Sequence, residues 1–341
     1  MAKIVFFELE PWEKKYFSEK LKKHTLVFMD SDLNNRTVKK IKDAEVLVLF
    51  VHTTVDSNVL KQMKKLKLIA TMSTGFDHID IAACKSMNIE VCNVPFYGEN
   101  TVAEYTFALI LSLSRKIHKT YSRTVRGDFS IKDIRGFDLK GKTLGVIGTG
   151  HIGQHVIKMA KGFEMNVLGF AQHKDKKIAK ELGFSYVSMD KLLKSSDVIT
   201  LHLPYSKDTH HLINKDVVKK MKKDVIIINT SRGAIIDTSA LLYGLKNNII
   251  SGAGLDVLEA ECFIEDEKKL LKTRYVDQCQ LRTMLENHAL LENDNVLITP
   301  HNAWNTKEAI IRILGCTVDN ITCFFQSKKS KTNKIIKNKV A

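Results

Sequence analysis

The chain has 341 residues, of which 44% are hydrophobic, and its 53 Lys+Arg against 38 Asp+Glu give a formal net charge of +15. Such a length holds two globular domains, and such a composition excludes a disordered chain. No apolar run reaches the length of a membrane span, and Met1-Ala2-Lys3 passes directly into Ile4–Phe7 without a cleavable signal pattern, so a cytoplasmic protein with no membrane partner is expected. The lysines are spread over helix faces (Lys174, Lys176, Lys177, Lys180; Lys219, Lys220, Lys222, Lys223) without interleaved aromatics. The charge therefore reads as solvated surface, and no nucleic-acid partner is expected. Six cysteines, Cys84, Cys92, Cys262, Cys279, Cys316 and Cys323, form no C-x-x-C pair and have no metal-ligand spacing, so reduced thiols and no metal site are expected. The basic tail Lys328–Lys339 reads as a frayed end.

In chain order, apolar runs at Ile4–Phe7, Leu26–Met29, Val46–Val51, Leu68–Met72 and Val91–Val94 alternate with helical patterns and predict a small doubly wound parallel sheet. Thr101-Val102-Ala103-Glu104 has the form of a capping box before an apolar-periodic segment, Tyr105–Ile117, which predicts a long helix crossing between domains. From Thr143 onward, strands are predicted at Leu144–Ile147, Val167–Phe170, Val198–Leu203, Val225–Asn229, Gly252–Val257 and Val296–Thr299, the pattern of a Rossmann domain. An amphipathic helix, Lys307–Phe325, follows and is read as returning to the first domain. The resulting expectation is an α/β protein of two doubly wound parallel-sheet domains with a cleft between them. One is a discontinuous, flavodoxin-like substrate domain over 1–99 and 302–341, and the other a Rossmann NAD(P)-binding domain over 100–301.

Within this plan, Gly148-Thr149-Gly150-His151-Ile152-Gly153 follows an apolar strand and opens a helix, the context of a dinucleotide pyrophosphate site. Gly148 permits the tight turn, Gly150 the close approach of phosphates, and Gly153 the packing of helix on strand. Arg232, Glu261 and His301 each lie just beyond a predicted strand end, where ligands of open parallel sheets sit. Together they suit hydride transfer to a 2-keto acid: Arg232 grips the carboxylate, His301 exchanges a proton with the keto oxygen, and Glu261 fixes the imidazole and raises its pKa. The strand Val167–Phe170 is followed by Ala171, not an acidic residue, and then by Gln172, His173 and Lys174, which leaves NAD and NADP both open.

The chain resembles the D-isomer-specific 2-hydroxyacid dehydrogenase family, most of all its D-lactate dehydrogenase branch. The resemblance rests on Ser73-Thr74-Gly75-Phe76-Asp77-His78-Ile79-Asp80, Asn93-Val94-Pro95-Phe96-Tyr97, Val102-Ala103-Glu104, the glycine loop, Leu201-His202-Leu203-Pro204, Asn229-Thr230-Ser231-Arg232-Gly233, Gly254–Glu261 and Thr299–Trp304. It implies Arg232, Glu261 and His301 as the catalytic set. The substrate would be held by the backbone of Thr74 and Gly75, with Tyr97 adding a hydroxyl and Trp304 walling the side-chain pocket. The cofactor would be held by the glycine loop with His151 and Ile152 at the pyrophosphate, Leu203 and Pro204 near the adenosine, and Thr230 and Asp256 toward the nicotinamide, with Thr209 and Ser231 as further cofactor contacts. Trp304 and the long segment Cys262–Asn293 point to the lactate branch, hence to pyruvate and D-lactate as the substrate pair. Pairing through the nucleotide domain would make a homodimer. The alternatives are a glyoxylate or hydroxypyruvate reductase, a phosphoglycerate dehydrogenase lacking a regulatory domain, and a dinucleotide-sensing corepressor-like binding protein.

Overall fold

The computed structural model describes residues 1–31, 33–34, 36–51, 53–261, 278–326 and 333–335, with the side chains of 278–280 excepted. The chain forms two compact units, Met1–Tyr97 with Thr306–Ala341, and Gly98–Asn305.

The first unit holds five parallel strands, β1 (Lys3–Phe6), β2 (Thr25–Phe28), β3 (Val46–Leu49), β4 (Leu68–Thr71) and β5 (Glu90–Cys92), in the order β2-β1-β3-β4-β5. This is the flavodoxin-like doubly wound order. Val46-Leu47-Val48-Leu49 and Leu68-Ile69-Ala70-Thr71 are buried at every position, as expected of central strands covered on both faces. The intervening helices α1 (Pro11–Lys20), α2 (Ser57–Gln62) and α3 (Ile81–Ser86) complete the layers. The C-terminal helix Lys307–Phe325 belongs to this unit, where Asn320 Nδ2 donates to Asn93 O at 2.9 Å.

The tail departs from the expected frayed end at Asn333–Ile335; the rest of Lys328–Lys339 lies outside the described residues. Lys334 bridges Cys92 antiparallel, Ile335 N donates to Val91 O at 2.9 Å, and Asn93 N donates to Asn333 O at 3.2 Å. Lys334 also pairs with Glu90, and Ile335 packs against the core. An edge strand presents unpaired backbone groups, and these residues cover them at β5.

The second unit opens with α4 (Glu99–Ser114) and α5 (Ile117–Thr124), followed by seven parallel strands: β6 (Thr143–Ile147), β7 (Asn166–Phe170), β8 (Ser185–Tyr186), β9 (Val198–Leu201), β10 (Val225–Asn229), β11 (Ile250–Leu255) and β12 (Val296–Ile298). Their order is β12-β11-β10-β9-β6-β7-β8, the Rossmann order extended by one strand. The helices between them are α6 (His151–Gly162), α7 (Lys176–Leu182), α8 (Met189–Ser195), α9 (Lys215–Val218), α10 (Thr238–Lys246) and α11 (Gln278–Leu291).

Two expectations are corrected here. The strand β8, only two residues long and partly exposed, has no periodicity to reveal it, so seven strands replace the six read from the sequence. The helix expected over Tyr105–Ile117 starts at Glu99 behind Gly98 and lies wholly in the second unit, so it does not cross between domains. Thr101 is therefore buried inside the helix and not at its N-cap, which is Gly98, while Ala103, Phe107, Ile110 and Leu113 pack into a core with Leu144, Val146 and Ile228. A left-handed Lys116, φ 55°, ends the run before α5.

Candidate active site

The strand order reverses between β6 and β9, the switch point at which open α/β sheets take ligands. At the end of β6, Gly148 has φ 96°, and a Cβ there would lie 2.2 Å from the carbonyl oxygen of His202 beyond β9. A Cβ on Gly153 would lie 2.1 Å from Gly148 O, so these two glycines are demanded by packing. Gly150 differs: a Cβ there would meet nothing within 4 Å, and as N-cap of α6 it offers no side-chain cap to the first turn. The loop is thus built tightly around an open helix N-terminus, and a dinucleotide pyrophosphate fits it. His151 and Ile152 form the first turn, with His151 Nδ1 at 3.3 Å from Glu99.

Beyond β9, Leu203 packs on the core while Pro204 is exposed. Thr209 Oγ1 donates to Pro204 O at 2.8 Å and accepts from Ser206 N at 2.7 Å, closing this loop into a turn. Burial drives the His202 imidazole down to about 3. At the end of β7, Gln172, His173 and Lys174 are exposed, and the next carboxylate, Asp175, caps α7 by accepting from Lys177 N and Ile178 N.

At the end of β10, buried Asn229 organises the turn to Arg232: its Oδ1 accepts from Ser231 N at 3.0 Å and Ser231 Oγ at 2.9 Å, and its Nδ2 donates to Arg232 O at 2.9 Å. Ser231 Oγ also contacts Leu201 O, and Thr230 Oγ1 lies 3.0 Å from Thr106 Oγ1. Sequence reasoning passed over both Asn229 and His202 as site residues. A polar residue closing the apolar run Val225–Ile228 was the available signal for the first.

The three residues read as catalytic lie in this unit, at the carboxyl ends of β10, β11 and β12. Glu261 Oε2 lies 3.2 Å from His301 Nδ1, while Glu261 Oε1 accepts Leu258 N–H at 2.7 Å. Burial disfavours charge on His301, but the hydrogen bond and negative charge of Glu261 outweigh it, and Asp256 adds to Glu261 against the opposing charge of Arg232. The net effect holds the imidazole above its ordinary value. Asp256, buried at the end of β11, accepts from Thr299 Oγ1 at 2.6 Å and from Asn302 N and Ala303 N at 2.8 Å. It thereby fixes the turn in which His301 adopts φ 49°. Trp304, half-buried, follows directly.

Thr74, Gly75 and Tyr97 belong to the first unit. Thr74 and Gly75 follow β4, where Thr74 Oγ1 donates to Val94 O at 2.9 Å and Ser73 Oγ donates to Gly75 O at 2.6 Å. Tyr97 follows β5, and its carbonyl accepts from Arg312 Nε at 2.7 Å. Of the segment Cys262–Asn293, residues 262–277 lie outside the described residues. Among the described residues, no group of three or more His, Cys, Asp or Glu is placed to hold a metal ion, and no helix is long and apolar enough to cross a membrane.

Residues 107–303 match the family model described as D-isomer specific 2-hydroxyacid dehydrogenase, NAD binding domain. The chain belongs to that family. Consistent with membership in the D-isomer-specific 2-hydroxyacid dehydrogenases, it is 37% identical over 342 residues to a 2-hydroxyacid dehydrogenase homolog of Haemophilus influenzae, covering 98% of each chain. It is 36% identical over 326 residues to the D-lactate dehydrogenase of Escherichia coli, covering 94% of this chain and 96% of that one. Among solved structures of the family, D-lactate dehydrogenase from Aquifex aeolicus, complexed with NAD and lactic acid, superposes with a TM-score of 0.88 at 37% identity over 98% of this chain and 99% of the other.

Proposed function

We propose that this dehydrogenase interconverts a small 2-keto acid and its D-2-hydroxy acid with a nicotinamide cofactor, pyruvate and D-lactate being the preferred pair. The observation that supports this most directly is the Glu261–His301 contact, at 3.2 Å, in the unit that also holds Arg232 and the glycine loop. A bound reduced nicotinamide supplies the hydride for the keto carbon. With Nδ1 turned to Glu261, His301 is left with Nε2 to give its proton to the keto oxygen, which becomes the hydroxyl while the ring becomes neutral. Arg232 holds the substrate carboxylate through paired N–H groups, so the keto carbon is presented in one orientation. The same geometry serves oxidation in reverse, with neutral His301 as the base.

Thr74 and Gly75 contribute backbone N–H groups to the carboxylate, Tyr97 a hydroxyl, and Trp304 an indole wall that suits a methyl-sized side chain. Turnover on pyruvate, glyoxylate, hydroxypyruvate and a branched keto acid tests the assignment, and a clear preference for the branched acid would count against it. Loss of keto-acid reduction in His301→Asn is expected. Undiminished reduction would favour a dinucleotide-sensing binding protein instead.

Gly148, Gly150, His151, Ile152 and Gly153 would hold the pyrophosphate, Leu203 and Pro204 the adenosine, and Thr230 and Asp256 the nicotinamide, with Thr209 and Ser231 as further cofactor contacts. With Ala171 in place of an acid, Asp175 engaged in capping, and His173 and Lys174 exposed, NADPH is used alongside NADH. Michaelis constants for the two cofactors measured side by side decide this, and a strong NADH preference removes it.

The working form is a homodimer paired through the second unit. There Tyr121, Val125, Phe129 and Ile131 expose 70%, 62%, 78% and 85% of their surface, an apolar set that a second copy of the chain would cover. Sedimentation at micromolar concentration tests it. The free thiols of Cys84, Cys92, Cys316 and Cys323 fit a reducing, cytoplasmic setting.

A further inference from the structure

Glu261 reaches His301 from the turn that follows β11, where Leu258 packs against the core. Polar contacts from three other elements hold this turn as well. Glu259 Oε1 lies 2.6 Å from His211 Nε2, in the loop after β9. Glu259 Oε2 accepts Thr238 Oγ1 at 3.0 Å, at the start of α10. The Glu259 carbonyl accepts Asn287 Nδ2 of α11 at 2.7 Å. Two residues on, after Ala260 at φ 57°, the chain has turned so that Glu261 Oε1 meets Leu258 N–H and Oε2 faces His301. The turn also abuts the arginine: a Cβ on Gly233 would stand 2.0 Å from Leu258 O and 2.4 Å from Glu259 N.

We propose that Glu259, clamped by His211 and Thr238, is a positioning residue for the proton-transfer step, fixing the turn that sets Glu261 against His301 and seats it beside the Arg232–Gly233 turn. The inference rests on the reading of His301 as the proton donor. Glu259 touches neither substrate nor cofactor in this role. A carboxylate suits it because one oxygen meets His211 and the other Thr238. His301 feels Glu261, Arg232 and Asp256, so a displaced Glu261 changes the ring's proton affinity as well as its orientation.

The test is steady-state reduction of pyruvate by NADH across pH, using Glu259→Gln, His211→Ala and His211→Gln in the full chain, with His301→Asn as control. Glu259→Gln and His211→Ala are expected to lose about tenfold in kcat while KM for NADH changes by less than about twofold. In both, the fall of kcat/KM with rising pH is expected to move to lower pH, and His211→Gln, which retains a donor, recovers part of both effects. The His211 side chain is 34% exposed, so its replacement is read even where Glu259→Gln does not fold. Wild-type kcat and pH dependence in soluble His211→Ala overturn the proposal, as does a loss of activity with the pH dependence unmoved. Full activity in His301→Asn overturns the underlying reading of the site, whereas an inactive His301→Asn beside a wild-type-like His211→Ala overturns the positioning role alone.

Discussion

Asp256 holds His301 through the backbone that follows it: its carboxylate accepts Asn302 N–H and Ala303 N–H, each at 2.8 Å, and leaves the imidazole to Glu261. One carboxylate sets the path of the turn and the other sets the ring. Asp256→Asn retains one acceptor oxygen and presents an amide donor to backbone N–H groups. It is expected to cost about 1–3 kcal/mol of stability and to lower kcat more than KM for NADH, read by denaturant melts and steady-state kinetics.

The pH dependence of the reaction follows from the raised pKa of His301. With His301 as the proposed proton donor, the kcat/KM of keto-acid reduction is expected to be full at low pH and to fall as pH rises through that raised value, and oxidation of the hydroxy acid is expected to show the opposite profile. Glu261→Gln removes the charge that raises the ring. Burial and Arg232 then prevail, and the fall of the reductive profile moves to lower pH. An unmoved profile would exclude Glu261 as the partner of the proton donor.

The three loop glycines separate fold from cofactor binding. Gly148→Ala combines φ 96° with a 2.2 Å approach to His202 O and is expected to destabilise by about 3 kcal/mol or more. Gly150→Ala, with nothing within 4 Å of the new methyl, should leave stability within about 1 kcal/mol and weaken NADH binding, measured by fluorescence titration. Equal loss of stability in both variants would contradict this division.

His202 makes a stability prediction. Its imidazole, near the ordinary value when unfolded and held at about 3 by burial in the fold, binds more protons in the unfolded state between those two pH values. Stability is therefore retained above the ordinary histidine value and declines as pH falls toward about 3. Replacement by Gln should flatten that part of the melting-temperature profile.

At the ribose position, Ala171→Asp places a carboxylate beyond β7. It should raise KM for NADPH by about tenfold while leaving KM for NADH within about twofold, because a 2'-phosphate is repelled and hydroxyls are not. Equal changes for both cofactors would mean that the loop after Phe170 does not face the ribose.

The legible parts of this molecule are those in which a residue type answers to its immediate chain neighbours. Continuous apolar runs such as Val46–Leu49 and Val225–Ile228 must be buried strands, and glycines at 148 and 153 must mark a tight turn into a helix. Eleven of the strands announce themselves this way, whereas β8 gains its place only by pairing Ser185 and Tyr186 with Leu168 and Gly169. Thr101 satisfied the local rule for a helix cap, yet the helix starts two residues earlier, behind Gly98, and Thr101 is buried inside it.

The sequence by itself determined two parallel-sheet units, a dinucleotide loop, and an arginine, a glutamate and a histidine beyond strand ends, because hydrophobic periodicity and backbone sterics act over a few residues. Only the tertiary structure decided what each polar group does: that Asp256 braces the His301 turn, that Glu259 reaches His211 and Thr238, and that Asn333–Ile335 covers β5. Those partners lie tens to hundreds of residues apart, and a buried polar atom takes whichever donor the folded chain brings within about 3 Å, which no local pattern records.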